Sequence, residues 1–181
     1  MRNFLLMATG VDVSKVLHDI TTTPGIWNRS DVRRAPHGQN RDVDDILLRF
    51  QEGGATYEDI IGAGKLVNYP AFTEMPSIRP IVFGIMRQVE GLDLGRVIIT
   101  RLPPGKTIPA HTDEYGVYVK GRKRYQVVVQ CLPGVVFRCG DEQVQMKTGE
   151  VWWFNPMLEH EIVNNSADDR IVLIVDVTPC P

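Results

Sequence analysis

Three side chains in the C-terminal half of the chain have the types and spacing of a metal site: His111, Asp113 and His160. In an extended segment, side chains at positions i and i+2 point to the same face about 6.6 Å apart, so His111 and Asp113 can reach one ion. Two imidazoles and one carboxylate leave three coordination positions open, which is typical of non-haem iron(II) oxygenases. The pattern predicts an iron(II) site that binds a bidentate keto acid and O2. A solvated pair at a loop edge and a packed core histidine are the plainer alternatives.

Arg170 is the candidate anchor for the keto acid. If residues 161–163 and 170–177 pair as a β-hairpin, Arg170 lies about 10 Å along the ladder from the level of His160. The far carboxylate of a keto acid chelated to the metal would extend toward that distance, and a guanidinium binds a carboxylate through two parallel hydrogen bonds. The alternative is an exposed arginine paired with Asp168 or its neighbour. The four residues together favour an oxygenase that uses a keto acid.

The elements that must position these residues are mostly predicted strands. Between residues 95 and 178, short runs rich in β-branched and aromatic residues are separated by turn residues, a pattern typical of a sandwich or barrel. The predicted strands comprise residues 96–102, 125–131, 135–139, 143–146, 151–154, 161–163 and 170–177. We expect a mainly β (α+β) fold, a double-stranded β-helix or cupin-like jelly roll.

The first 94 residues predict an α/β extension of this core. Apolar residues at steps of three and four indicate helices, whereas a short apolar run indicates a strand. The predicted elements are helices at 11–20 and 76–90, a strand at 46–50 and a long loop at 27–41. We expect a single domain over residues 1–181, with the N-terminal helices packed outside a jelly-roll catalytic core at 95–178.

Composition limits the classes of partner. Hydrophobic residues form 43% of the 181 residues, and 20 basic against 22 acidic side chains give a net charge of −2, which disfavours nucleic acid as a partner. Three cysteines without CxxC spacing disfavour a disulfide framework and a structural zinc site. The apolar run at residues 4–8 is too short for a signal-peptide core or a membrane span. We therefore expect a soluble, cytoplasmic protein without membrane contact.

Four segments resemble the aspartyl/asparaginyl β-hydroxylase family of Fe(II)/2-oxoglutarate-dependent dioxygenases. They are LPPGKTIPAHTD at 102–113, GEVWWFN at 149–155, HEIVNNS at 160–166 and RIVLIVDV at 170–177. The resemblance covers roughly residues 75–178. It implies a jelly-roll fold, iron(II), 2-oxoglutarate and O2 as cofactors, and hydroxylation of an unactivated C–H bond with release of succinate and CO2.

The resemblance also implies roles for individual residues. The metal ligands would be His111, Asp113 and His160, and Arg170 would anchor 2-oxoglutarate. Arg124 and Gln126 stand where the family often has Arg-x-His, two residues that help to hold the co-substrate. Gln126 replaces the histidine, although its amide can still donate a hydrogen bond. A carboxylate at Asp113 leaves no room for the halide that iron halogenases bind, which favours hydroxylation.

Weaker candidates for substrate contacts lie in less regular segments. They are Arg33, Arg34 and His37, which could bind a substrate carboxylate or phosphate, Tyr115 near the pocket rim, and Trp153 as a cavity wall. Loop solubility and core packing explain these residues equally well. The predicted reaction is hydroxylation of an aspartyl, asparaginyl or prolyl side chain in an amino acid, peptide or protein. The alternatives are a non-catalytic cupin-like metal- or ligand-binding module and a keto-acid-independent jelly-roll metalloenzyme.

Overall fold

A computed structural model of the chain describes residues 1–30, 32–33, 40–52, 64–113 and 121–180. The strands in these ranges are β1 (Phe4–Ala8), β2 (Asp44–Gln51), β3 (Leu66–Asn68), β4 (Gly91–Leu102), β5 (Thr107–His111), β6 (Lys123–Gln130), β7 (Val135–Cys139), β8 (Glu142–Val144), β9 (Val151–Phe154), β10 (His160–Asn164) and β11 (Arg170–Pro179). The helices are α1 (Ser14–Thr22), α2 (Ala71–Glu74) and α3 (Ile78–Gln88). No helix in the described ranges is long and apolar enough to cross a membrane.

Two antiparallel sheets form the framework. The larger has seven strands in the order β1-β9-β6-β11-β4-β2-β3, and the smaller has four in the order β5-β10-β7-β8. Aromatic side chains join the two sheets, because Phe137 of the small sheet packs edge-on against Phe4 at 5.2 Å and against Phe154 at 4.8 Å between ring centroids. This arrangement confirms the predicted jelly roll. Strands β1 and β2, from the N-terminal extension, are members of the same large sheet.

The predicted helices at 11–20 and 76–90 are present as α1 and α3. Their apolar residues recur at helical spacing, and those that are buried include Val16 and Ile20 of α1 and Val82 and Ile85 of α3. These side chains belong to one core cluster with residues of the large sheet such as Leu173. The helices therefore cover the outer face of the large sheet, which leaves the gap between the sheets for the site.

The predicted hairpin between residues 161–163 and 170–177 is wrong. Strand β10 pairs with β5 and β7 in the small sheet, whereas β11 pairs with β4 and β6 in the large sheet. Asn164 fixes the crossing: its buried amide donates to the carbonyls of Leu102 and Asp168 and accepts from the Ser166 N–H. The five-residue connection at 165–169 lacks a tight-turn sequence such as Asn-Gly, so it does not force its two strands to pair.

Candidate metal centre

The two histidines of the predicted set meet across a strand pair. His111 ends β5 and lies directly opposite His160, the first residue of β10, with ring centroids 4.2 Å apart. Asp113 follows two residues later, and its Oδ1 is 3.8 Å from His111 Nε2. One ligand atom from each of the three side chains lies within 4.8 Å of the others. Two ligand atoms about 2.0–2.2 Å from a single ion are at most about 4.4 Å apart, so small side-chain movements would let the three residues hold a metal.

Backbone carbonyls set the tautomer of both histidines. Nδ1 of His111 lies 2.7 Å from the carbonyl oxygen of Pro109, and Nδ1 of His160 lies 2.9 Å from that of Leu158. A carbonyl only accepts hydrogen bonds, so each Nδ1 carries the proton and donates it. In the neutral form of each ring, Nε2 is then the unprotonated nitrogen, which is the one that can bind a metal. Burial lowers the pKa of His160 and outweighs the opposing bond to Leu158, which keeps this ring neutral.

The carboxylate of Asp113 is held by Arg124, which is itself bound by Asp176. Its Oδ2 accepts a hydrogen bond from Arg124 Nη1 at 2.6 Å, and Arg124 also donates to both oxygens of Asp176 at 2.8 and 2.9 Å. Burial alone would raise the pKa of Asp113, but the positive charges beside it, Arg124 first among them, outweigh burial and hold the pKa below its ordinary value. Asp113 is therefore an anion ready to bind a cation.

Arg170 is a buried cation on the opposite sheet. It is the first residue of β11 and is only 2% exposed, and its Nη2 donates to Gln126 Oε1 at 2.8 Å. The guanidinium lies 5.8 Å from the centroid of the Phe137 ring, and it forms no ion pair with a carboxylate in the described part of the chain. Burial lowers the pKa of Arg170 to about 10, so it stays charged at neutral pH.

One cavity joins these groups. The triad, Arg124, Gln126 and Arg170 all face it, and its apolar walls come from both sheets. The apolar lining side chains are Val43, Ile108, Phe154, Ile162, Val172 and Ile174. The structure thus brings together the predicted ligands and the predicted keto-acid contacts, although the hairpin that first related His160 to Arg170 does not exist.

The predicted substrate contacts divide into three groups. Arg33 lines the cavity, where Nη1 donates to Asp45 Oδ2 at 3.3 Å. Trp153 does not line the cavity: it packs with the core cluster on the helix-covered face of the large sheet, and Phe154, which points the other way, is the cavity wall. The remaining three candidates, Arg34, His37 and Tyr115, lie outside the described residues.

Two site features were missed from the sequence. Asp176 is 2% exposed within the apolar run of β11, and a charged residue in such a run signals a buried partner. The second is the bond from each histidine Nδ1 to the carbonyl two residues earlier, for which the sequence gives no signal.

The fold is shared with solved oxygenases of low sequence identity. An oxidoreductase of the 2OG-Fe(II) oxygenase family from Burkholderia pseudomallei superposes with a TM-score of 0.58 at 15% identity, covering 92% of this chain and 77% of that chain. A non-heme monooxygenase, ThoJ, in complex with nickel, superposes with a TM-score of 0.56 at 10% identity, covering 98% of this chain and 74% of that chain. No curated protein matches the sequence.

A family comparison adds sequence-level support to the shared fold. The family model described as aspartyl/asparaginyl beta-hydroxylase matches residues 65–179, which is more than half of the chain and contains the triad, Arg124, Gln126 and Arg170. The chain therefore belongs to the aspartyl/asparaginyl β-hydroxylase family and is an oxygenase.

Proposed function

We propose that this oxygenase uses Fe(II), 2-oxoglutarate and O2 to hydroxylate an amino-acid or peptidyl side chain, with release of succinate and CO2. One observation carries the proposal: the buried guanidinium of Arg170 has no carboxylate partner among the described residues and faces the same cavity as the triad. A buried charge is costly unless it is paired, so this position favours an anionic ligand.

The donor set suits iron. Two imidazole nitrogens and one carboxylate oxygen on one side of the cavity are the facial arrangement typical of non-haem iron(II) oxygenases. His111, His160 and Asp113 would hold the metal, with both histidines fixed as metal-binding tautomers by their Nδ1 bonds. When bound, iron would supply the activation of O2 and the oxidation of the C–H bond.

The opposite wall of the cavity suits the far end of 2-oxoglutarate. Arg170 presents a fork of N–H donors that matches a carboxylate, and Gln126 holds one arm of that fork. An arginine can only donate, so the oxygen of the Gln126 amide must face it, which leaves the amide N–H2 free to donate elsewhere. Val172 and Ile174 of the apolar wall would contact the methylene carbons of the keto acid and exclude water.

Arg33 supports a substrate that carries a carboxylate. Among the described residues, its side-chain hydrogen bonds are long, 3.3 Å to Asp45 Oδ2 and 3.4 Å to Asn40 Oδ1, compared with 2.6 Å for the bond between Arg124 and Asp113. Arg33 therefore lies at the cavity wall without a short bond to these two groups, and its guanidinium matches a carboxylate bidentately. An α-carboxylate or an acidic side chain is a fitting group, which agrees with an amino-acid or peptide substrate.

The test measures turnover with defined substrates. Protein loaded with Fe(II) is supplied with 2-oxoglutarate and with aspartyl-, asparaginyl- or prolyl-containing peptides or the free amino acids, and succinate and a mass gain of one oxygen are quantified. Wild type should form both products in equal amounts, and His111→Ala and His160→Ala should form neither. A metal-loaded wild type whose spectrum and turnover ignore 2-oxoglutarate would instead support a binding module or a keto-acid-independent enzyme.

A further inference from the structure

Arg124 joins two carboxylates that have different surroundings. Its Nε and Nη2 donate to the two oxygens of Asp176 at 2.8 and 2.9 Å, and its Nη1 donates to Asp113 Oδ2 at 2.6 Å. Asp176 is 2% exposed and does not line the cavity, whereas Asp113 does. The guanidinium therefore connects a buried anion to a predicted metal ligand.

The sheet itself fixes this contact. Arg124 on β6 and Asp176 on β11 are direct cross-strand neighbours, so their side chains emerge side by side on one face of the large sheet. A bidentate pair between a guanidinium and a carboxylate holds the guanidinium plane in one orientation. The remaining arm points to Asp113, which lies beyond β5 of the small sheet and is itself tied by its N–H to the Pro156 carbonyl at 2.9 Å.

The two oxygens of Asp113 consequently have different tasks. Oδ2 is bound by Arg124, whereas Oδ1 is the oxygen that lies 3.8 Å from His111 Nε2. A carboxylate whose second oxygen is held by a strong charge-assisted hydrogen bond offers a cation one oxygen instead of two. The positions on a metal that a chelating keto acid and O2 require are then kept free.

We propose that Arg124 is a positioning residue that restricts Asp113 to ligation through Oδ1, and that Asp176 is the anchor that orients Arg124. This inference rests on the proposed function for the identity of the metal and the keto acid. It assigns Arg124 to the metal carboxylate, whereas the family resemblance implied a contact with the co-substrate.

The first experiment uses cobalt(II) as a spectroscopic probe of the full-length protein without keto acid. The visible ligand-field bands of Co(II) report the coordination number, and they should change in Arg124→Met and in Asp176→Asn because Asp113 can then bind through both oxygens. Arg124→Lys keeps the charge but loses the fork, so it should give an intermediate spectrum. Arg101→Met is the matched control, since Arg101 also contacts two aspartates, Asp44 and Asp169, but does not line the cavity.

The second experiment is a double-mutant cycle on 2-oxoglutarate binding at saturating Co(II). Loss of an outer-shell partner of a metal ligand typically lowers metal affinity or activity about 10- to 100-fold. We expect Arg124→Met and Asp176→Asn each to weaken 2-oxoglutarate binding by a similar factor, because Asp113 would then occupy a position that the keto acid needs. In an Asp113→Gly background, Arg124→Met should have no further effect, because the group that it positions is gone.

The outcomes separate the two proposals. An unchanged Co(II) spectrum in both Arg124→Met and Asp176→Asn overturns the positioning role. The role is also overturned if Arg124→Met weakens 2-oxoglutarate binding as much in the Asp113→Gly background as in the wild type. The latter result would assign Arg124 to direct contact with the keto acid. A wild-type protein that binds Co(II) but never responds to 2-oxoglutarate overturns the proposed function, while the Co(II) spectra still decide the role of Arg124.

Discussion

Replacing Arg170 with methionine should have opposite effects on stability and on ligand binding. Burial lowers the pKa of Arg170 to about 10, about 2.5 below its ordinary value. At about 1.4 kcal/mol per pH unit, burial disfavours the charged form by about 3 kcal/mol. The hydrogen bond to Gln126 and the cation–π contact with the Phe137 ring each stabilise the charged form by on the order of 1 kcal/mol. Arg170→Met should therefore leave the free energy of unfolding of the metal-free protein unchanged or raise it by about 1–2 kcal/mol.

Binding of 2-oxoglutarate should respond in the other direction. Truncating one partner of a buried, hydrogen-bonded charge pair typically costs about 2–5 kcal/mol. At about 1.4 kcal/mol per factor of ten, this loss corresponds to a 2-oxoglutarate affinity that is roughly 30- to several-thousand-fold weaker. Metal affinity should stay the same, because Arg170 contacts none of the three ligands.

Two measurements on the same samples test this reasoning. Urea unfolding of the metal-free protein gives the free energy of unfolding, and anaerobic titration of the Fe(II) protein with 2-oxoglutarate gives the affinity from the charge-transfer band. Arg101→Met, outside the cavity, should leave the affinity unchanged. The reasoning is refuted if Arg170→Met binds 2-oxoglutarate like wild type, or if the metal-free variant loses about 3–5 kcal/mol, as expected for a broken buried ion pair.

Four further substitutions separate binding from folding. Gln126→Leu removes the acceptor that orients Arg170 and should weaken 2-oxoglutarate binding about 5- to 10-fold by titration. Asn164→Ala removes the buried amide of the β10–β11 crossing and should lower the free energy of unfolding by about 2–4 kcal/mol in urea. Iron(II) at 100 times its Kd should raise Tm by about 5–10 °C, and His160→Ala should abolish this rise. Arg33→Gln should raise KM for an acidic substrate at least 10-fold and leave 2-oxoglutarate affinity unchanged.

Local sequence patterns predicted many of the strands, two of the helices and the convergence of the three candidate ligands. Strands β7 and β9 have the predicted bounds, and His111 and Asp113 converge as the two-residue period of an extended segment requires. These predictions succeed because they depend on periodicity and turn chemistry, which operate over a few residues. His160 was placed correctly because it begins a strand next to a recognisable motif.

Features that depend on sheet pairing could not be read from the sequence. The segments that became β10 and β11 are adjacent in the chain, and nothing local indicates that they belong to different sheets. In β9, the alternation of side chains along a strand predicts that Trp153 and Phe154 face opposite sides of the sheet. Only the packing of the helices on one of these sides shows that Phe154 is the residue that lines the cavity. The contacts of Arg124 with Asp113 and Asp176 could not be predicted for the same reason, since the three residues lie on separate strands or loops.

The division of the cavity between two sheets explains why an incorrect pairing still led to a residue that faces the cavity, Arg170. The candidate ligands His111 and His160 lie on β5 and β10 of the small sheet, whereas Arg124, Gln126 and Arg170 lie on β6 and β11 of the large sheet. Packed sheets lie about 10 Å apart, which is also the distance that three residues span along a strand. A keto acid held at both ends would therefore cross the gap between the sheets instead of following one strand. In such a site the packing of the two sheets, and not the register of one hairpin, sets the distance between the metal and the guanidinium.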